Sequence, residues 1–273
     1  MYQWLTSIMP SLRLAGEPAK KWVSGQWPEL LAAYPFLRLP DPADQLRLQA
    51  LSLQFLVQKE FHGAHGLVVT DLMALTIASQ ACLVVLNIAP ERQALVWYDD
   101  FVGIVVHPSE MLARREVVDE TGVVHFYKEA LSGEAMQGGP VTLNWADVSN
   151  ARQAAAQGMN LVIHEFAHKI DMRTGFADGC PPLPNGFRGA TTEKQGRQIW
   201  QAAMQSAYTS FREQAILAER FGQPAPWLDA YAASSPAEFF AVACEAYFVN
   251  RERFSHEFPA LKPMFDDFFV RGK

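Results

Sequence analysis

The chain has 273 residues, 49% hydrophobic and 19% charged, enough to bury a substantial core in one large domain or a domain with a helical extension. Its net charge of -6, with no basic run longer than Lys20-Lys21 and Arg114-Arg115, argues against a surface built to neutralise phosphates and so against direct nucleic-acid binding. Three widely spaced cysteines, Cys82, Cys180 and Cys244, suggest neither a disulfide framework nor a cysteine zinc site and fit a reducing cytoplasm.

Residues 1–16 lack a basic start followed by an uninterrupted apolar run, so no export signal is read there. Pro28, Pro35 and Pro40 are expected to break the first forty residues into short helical pieces. Residues 41–61 read as a helix, with Leu46, Leu48, Leu51, Leu53, Phe55 and Leu56 at near-helical spacing and Gly63 and Gly66 as stop signals. The uncharged stretch 72–90 contains Thr76, Ser79, Gln80 and Asn87, which makes it a core helix running into a strand rather than a membrane span.

From residue 93 to about 143, β-branched and aromatic runs alternate with turn residues. Strands are expected at 94–98, 102–107, 117–118 and 123–127, with a hairpin turn at Glu120-Thr121-Gly122. Residues 141–145 read as the last strand and as the candidate edge of a small, mainly antiparallel sheet, although Trp145 is equally a core residue. After Ala151, helices dominate: 152–173, 192–221, 235–250 and a short closing one, with a Pro/Gly-rich loop at 175–189. The expected class is α+β and predominantly helical, a single domain over 1–273 with 1–60 as a helical N-terminal extension packed on it.

The segment 161–171 carries His164-Glu165-Phe166-Ala167-His168. Histidines at i and i+4 project from one helix face about a turn apart, so both imidazoles can reach a single tetrahedral ion. Glu165 sits beside the first, where its carboxylate can reach a metal-activated water without occupying the metal. Leu161, Val162, Ile163, Phe166, Ala167 and Ile170 predict a buried helix, in which two histidines and a glutamate would bear roughly a few kcal/mol each of desolvation unless paired or metal-bound. Asp171, three residues after His168, could orient a ligand from behind or simply be solvated.

A catalytic zinc takes three protein ligands, and the motif supplies two. A metzincin would place Gly at 171 and His at 174, where this chain has Asp171 and Thr174. The apolar helix expected from Ser235 carries Glu238 and Glu245, seven apart and on one side. Ser235-Pro236-Ala237-Glu238 is also a capping box, a role that competes for the same carboxylate, so Glu238 as ligand and Glu245 as ligand or supporting group both stand on local sequence.

Residues 160–171, with Tyr231, Glu238 and the aromatic-rich helix that follows, resemble the Mlc titration factor A family of bacterial proteins, itself similar to the catalytic domain of anthrax lethal factor. Both have a histidine pair on the active-site helix, a glutamate ligand on a later helix and a tyrosine seven residues before it, here Tyr231. In thermolysin-like enzymes an acid follows four residues after the ligand glutamate, where this chain has Val242.

The resemblance implies a zincin-like metallopeptidase fold and a cytoplasmic, zinc-dependent peptidase, in this family an aminopeptidase. It implies one Zn(2+) held by His164, His168 and Glu238, with Glu165 as general base. Tyr231 would donate to the oxyanion, a contact worth roughly 3 kcal/mol. It also implies, beside a peptide substrate, a protein partner: Mlc, a transcriptional repressor of glucose phosphotransferase genes. A regulatory binding protein with a structural or vestigial zinc site is the competing reading, and cleft gating by the 175–189 loop or the chain after His256 is a further possibility.

Overall fold

The computed structural model describes residues 17–89, 91–118, 124–131 and 133–270. Helix α1 (Glu17–Ala33) runs through Pro28 instead of breaking there. Pro28 is on the exposed side, where water can replace the hydrogen bond its ring nitrogen cannot donate, while Val23, Trp27 and Leu30 form a buried stripe behind it.

Helix α2 (Pro42–Gln58) is capped by Asp41, whose side chain accepts from Ala43 N at 2.9 Å, and buries Leu48, Leu51, Phe55 and Leu56 while leaving Leu46 in solvent. It stops short of the expected end, because Glu60–Gly63 form strand β1, so the boundary expected at residue 60 falls on the first residue of the sheet. Helix α3 (Asp71–Val85), capped by Thr70, is buried on all sides from Met73 onward.

Among the described residues, no strand directly follows α3. The chain passes instead through a short helix α4 (Glu91–Ala94) and a 3-10 turn, Leu95–Tyr98, where a strand was expected. The carbonyls of Tyr98 and Phe101 are taken by the ammonium of Lys59, at 2.5 and 2.6 Å, and the Tyr98 hydroxyl donates to Ala81 O at 3.0 Å. Side chains anchor this segment where a sheet neighbour would otherwise pair with it.

Four strands make the main sheet in the order β1-β2-β6-β5, with β2 at Gly103–His107, β5 at Gly133–Ala135 and β6 at Val141–Asn144. Strands β1, β2 and β6 are parallel, and β5 runs antiparallel to β6 with Gly133 opposite Leu143 and Ala135 opposite Val141. A separate ribbon pairs β3 (Met111–Val118) with β4 (Val124–Leu131) in antiparallel fashion.

The expectation of a mainly antiparallel sheet thus holds for the ribbon and the β5–β6 pair. The sheet itself is mixed, because β1 and β2 are joined by a long helical crossover, which brings the chain back in the same direction. Residues 141–145 are not the edge either: β6 has a neighbour on each side, Trp145 opens helix α5 (Trp145–Ser149), and the edge on that side is β5. The hairpin turn expected at 120–122 lies outside the described residues.

The helix expected over 152–173 is two pieces. Helix α6 (Ala151–Ala154) ends in a turn closed by Gly158 at φ +77°, a left-handed conformation suited to glycine. Asn160 then starts α7 (Leu161–Asp171) by accepting from Ile163 N at 2.9 Å. Helices α8 (Glu193–Phe221) and α9 (Pro236–Val249) match expectation, and two helices close the described chain, α10 (Arg251–Glu257) and α11 (Leu261–Phe269).

One hydrophobic core reaches from Val23 in α1 to Phe269 in α11. Near its centre Phe166 of α7 meets Phe55, Tyr98 and Phe101, with ring centroids 5.7, 4.9 and 6.0 Å away. Burying side chains of this size contributes roughly 1.5–3 kcal/mol each, so the back of α7 is fixed against α2 and the 98–101 segment. Among the described residues no helix is long and apolar enough to cross a membrane.

Candidate metal centre

Helix α7 lies between α3, α9 and the edge strand β5. Val162, Ile163, Phe166, Ala167 and Ile170 point into the core, which leaves His164, Glu165 and His168 on the side facing a cleft of about 890 Å³. Helix α9 forms the facing wall. Ser235 accepts from Glu238 N at 3.1 Å, so the capping role falls to the serine and the Glu238 carboxylate is left to turn toward the histidines.

The result is a triangle of donor atoms. His164 Nε2 and His168 Nε2 are 3.2 Å apart, and Glu238 Oε2 lies 3.1 Å from the first and 3.2 Å from the second. Four ligands at about 2.0–2.1 Å around a tetrahedral ion are separated by about 3.3–3.4 Å, so two nitrogens and an oxygen at this spacing fit three corners of such a site and leave the fourth open. Two ring nitrogens facing each other at this distance share at most one proton, and a cation is the more complete partner.

Glu245, two turns beyond Glu238 on α9, holds the arrangement from behind. Its Oε1 is 2.7 Å from His164 Nδ1, and its Oε2 accepts from the backbone N–H of Asn160. One carboxylate therefore ties the start of α7 to α9 and draws the Nδ1 proton of His164 toward itself, which points Nε2 into the triangle. Asn160 is fixed in turn by donating to Gln80 Oε1 of α3 at 2.7 Å.

The electrostatics favour positive charge here. Burial disfavours a charged imidazole at His164, but Glu238 and Glu245 outweigh it and hold its pKa well above the usual histidine range. Burial likewise opposes ionisation of Glu238, yet hydrogen bonds from His164 and His168 bring its carboxyl down to about 2. Glu165 behaves oppositely: burial pushes it up to about 8, His164 opposes, and Glu238, Glu245 and Glu134 add to the rise. A cation in the triangle would counter that rise.

Tyr231 lines the same cleft from the turn before α9, its ring centroid 6.2 Å from that of His164 and the residue 48% exposed. The turn is set by Asp229, which accepts from Tyr231 N at 2.9 Å, and by Ser234 Oγ, which donates to Tyr231 O at 2.7 Å.

Asp171 does something other than orient a histidine. Its Oδ2 accepts from Gly179 N at 2.8 Å, drawing the loop after α7 onto the start of α9, where a Cβ on Gly179 would come within 2.6 Å of Pro236 O. Arg197 on Asp178 and Trp200 Nε1 on Gly179 O, at 2.6 and 2.7 Å, hold the same stretch. This part of the 175–189 loop braces the helix that carries Glu238.

The strand wall escaped the sequence reading. Gly133 of β5 lies so close to Glu165 that a Cβ there would overlap the carboxylate, and Glu134 and Ala135 continue along the cleft. Gly133 is the first described residue of this strand, and so close an approach leaves room for no side chain there.

A His-Glu-x-x-His helix facing a glutamate on a later helix, beside a mixed sheet with an antiparallel edge, defines a zincin-like metallopeptidase. Comparison with known proteins agrees: the family model described as "Glucose-regulated metallo-peptidase M90" matches residues 14–270. The chain is 36% identical to Mlc titration factor A of Klebsiella pneumoniae (strain 342) over 244 residues, 89% of this chain and 84% of that protein. It is 36% identical to Mlc titration factor A of Edwardsiella ictaluri (strain 93-146) over 254 residues, 93% of this chain and 90% of that one. The chain belongs to this M90 metallopeptidase family, that of Mlc titration factor A.

Proposed function

We propose that the chain is a zinc-dependent peptidase acting as an aminopeptidase, with one zinc ion held by His164, His168 and Glu238. The observation that carries the reading is the triangle of two Nε2 atoms and one Oε2, with Glu165 beside it. Two imidazoles and a carboxylate at tetrahedral spacing suit zinc. When bound, zinc supplies Lewis acidity that activates a water and polarises the scissile carbonyl.

Glu165, on α7 and pressed against Gly133, accepts the water's proton and delivers it to the leaving amine. Tyr231 donates a hydrogen bond to the oxyanion as it develops. A peptide lies along β5, whose edge offers backbone groups for pairing. Residues 1–273 act as one peptidase domain with the first sixty as its helical extension, and the three free, buried cysteines suit a cytoplasmic setting.

Glu165→Gln is the deciding experiment. The variant keeps fold and metal while hydrolysis of a peptide library falls about 10³-fold, the scale of lost acid–base catalysis. Undiminished hydrolysis would remove Glu165 as the base.

The name of the relatives, Mlc titration factor A, supports a second role, binding a repressor of the Mlc type. The same variant separates the two: repressor capture that survives loss of hydrolysis makes binding independent of the chemistry. A purely regulatory protein with a structural zinc would need neither Glu165 nor Tyr231 at the cleft and would close the fourth position with protein.

A further inference from the structure

We propose that the buried Lys169, through its ion pair with the half-buried Asp100, is a positioning residue that sets the edge strand β5 against α7 and thereby shapes the peptide-binding wall of the cleft. The proposal rests on the peptidase reading for its consequence, but on geometry for its substance.

Lys169 is fully buried although it follows directly on His168. Its ammonium donates to Asp100 Oδ2 at 2.5 Å, to Met136 O at 2.9 Å and, at a longer 3.5 Å, to Gly139 O, which accounts for all three of its hydrogens. Met136 immediately follows β5, and Gly139 lies in the turn that leads to β6. Asp100 Oδ2 also accepts from Gly138 N at 3.2 Å, so the turn is held through both a carbonyl and an amide. The ring of Phe101 lies 4.5 Å below the ammonium.

Glu165 and Lys169 are four residues apart and lie one above the other on α7. Glu165 meets Gly133 at the start of β5, and Lys169 meets Met136 just past its end. The helix is therefore laced to the strand at two points a turn apart. Among the described residues β5 pairs with β6 over three positions, a short ladder, and the second lace adds to its hold. The sites that hold metal and the strand that pairs with peptide are thereby kept in one frame.

Lys169→Met keeps the apolar stem and removes the ammonium, and Asp100→Asn keeps an acceptor while neutralising the pair. Two measurements on the metal-loaded full chain test the inference. By hydrogen exchange, residues 133–140 should exchange about tenfold faster in Lys169→Met, and less so in Asp100→Asn, while 236–249 keep the wild-type rate. By calorimetry, a tetrapeptide hydroxamate should bind about tenfold more weakly while acetohydroxamate, which reaches only the metal, is unchanged.

Unchanged exchange in 133–140, or faster exchange everywhere, would overturn the positioning role. Equal loss for both hydroxamates would overturn it too, by placing the effect at the metal. If Lys169→Met does not fold, Asp100→Asn decides by the same two readings. A wild-type protein that binds neither hydroxamate would count against the peptidase reading, and the exchange result would still decide the role of Lys169.

Discussion

On one wall of the cleft, α7 and α9 bring three donor atoms within 3.2 Å of one another, from residues four apart on one helix and one residue on the helix facing it. On the other wall, a three-residue strand is held by its ladder to β6, by contact of Gly133 with Glu165, and by a lysine at the far end. The helix wall is stiff because a turn of α-helix fixes side-chain spacing locally. The strand wall has a short ladder and two side-chain contacts with α7 to hold it, whereas α7 and α9 pack along their length, so it is the wall that small changes can shift while the helix wall stays intact.

His168→Ala carries the largest expected effect. It removes one corner of the triangle, and two remaining donors do not hold zinc through dialysis, so metal content by atomic emission should fall from one per chain to background, with hydrolysis following. Stoichiometric metal in this variant would mean that the triangle is not the site, and that the helix wall is not what distinguishes this cleft.

Gly133→Ala strikes the other wall. The added methyl overlaps the Glu165 carboxylate, and either the strand or the glutamate must yield. A displacement on the order of 1 Å at a reacting group costs about 100-fold, so kcat/KM for peptides should fall by about that factor with metal content unchanged. Should Gly133→Ala lose metal as His168→Ala does, the two walls would be one mechanical unit and the contrast between them would fail.

The same contrast explains what could be read from the sequence. His164, Glu165 and His168 announce themselves through i, i+4 spacing inside an apolar run. Glu238 was ambiguous there, since Ser235-Pro236-Ala237-Glu238 spells a cap as well as a ligand. In the fold the conflict dissolves because the cap uses the backbone N–H of Glu238 and leaves its carboxylate free to turn. Glu245 was visible as an acid on the right face, though only the 2.7 Å contact with His164 Nδ1 defines its task.

Strand β5 was illegible because its three described residues carry no periodicity. The 3-10 turn at Leu95–Tyr98 resembled a strand in composition, and the Lys59 ammonium that binds the Tyr98 carbonyl lies 39 residues earlier. The partner of Lys169, Asp100, lies 69 residues away and comes beside it only in the fold. Long-range polar partners are what composition and periodicity omit.

Tyr231 belongs to neither wall, and its substitution should have the smallest effect of the three. An oxyanion donor in a dry site is worth about 10²–10³ in turnover when removed. Here the residue is 48% exposed on a turn held by Asp229 and Ser234, so water can take part of the hydroxyl's place. Tyr231→Phe should therefore lower kcat about tenfold, with KM and metal content close to wild type. A fall of 10³-fold would mean that bound peptide seals Tyr231 from solvent and that the cleft closes on its substrate. No change in kcat would assign the ring to packing beside His164 and leave the oxyanion to the metal alone.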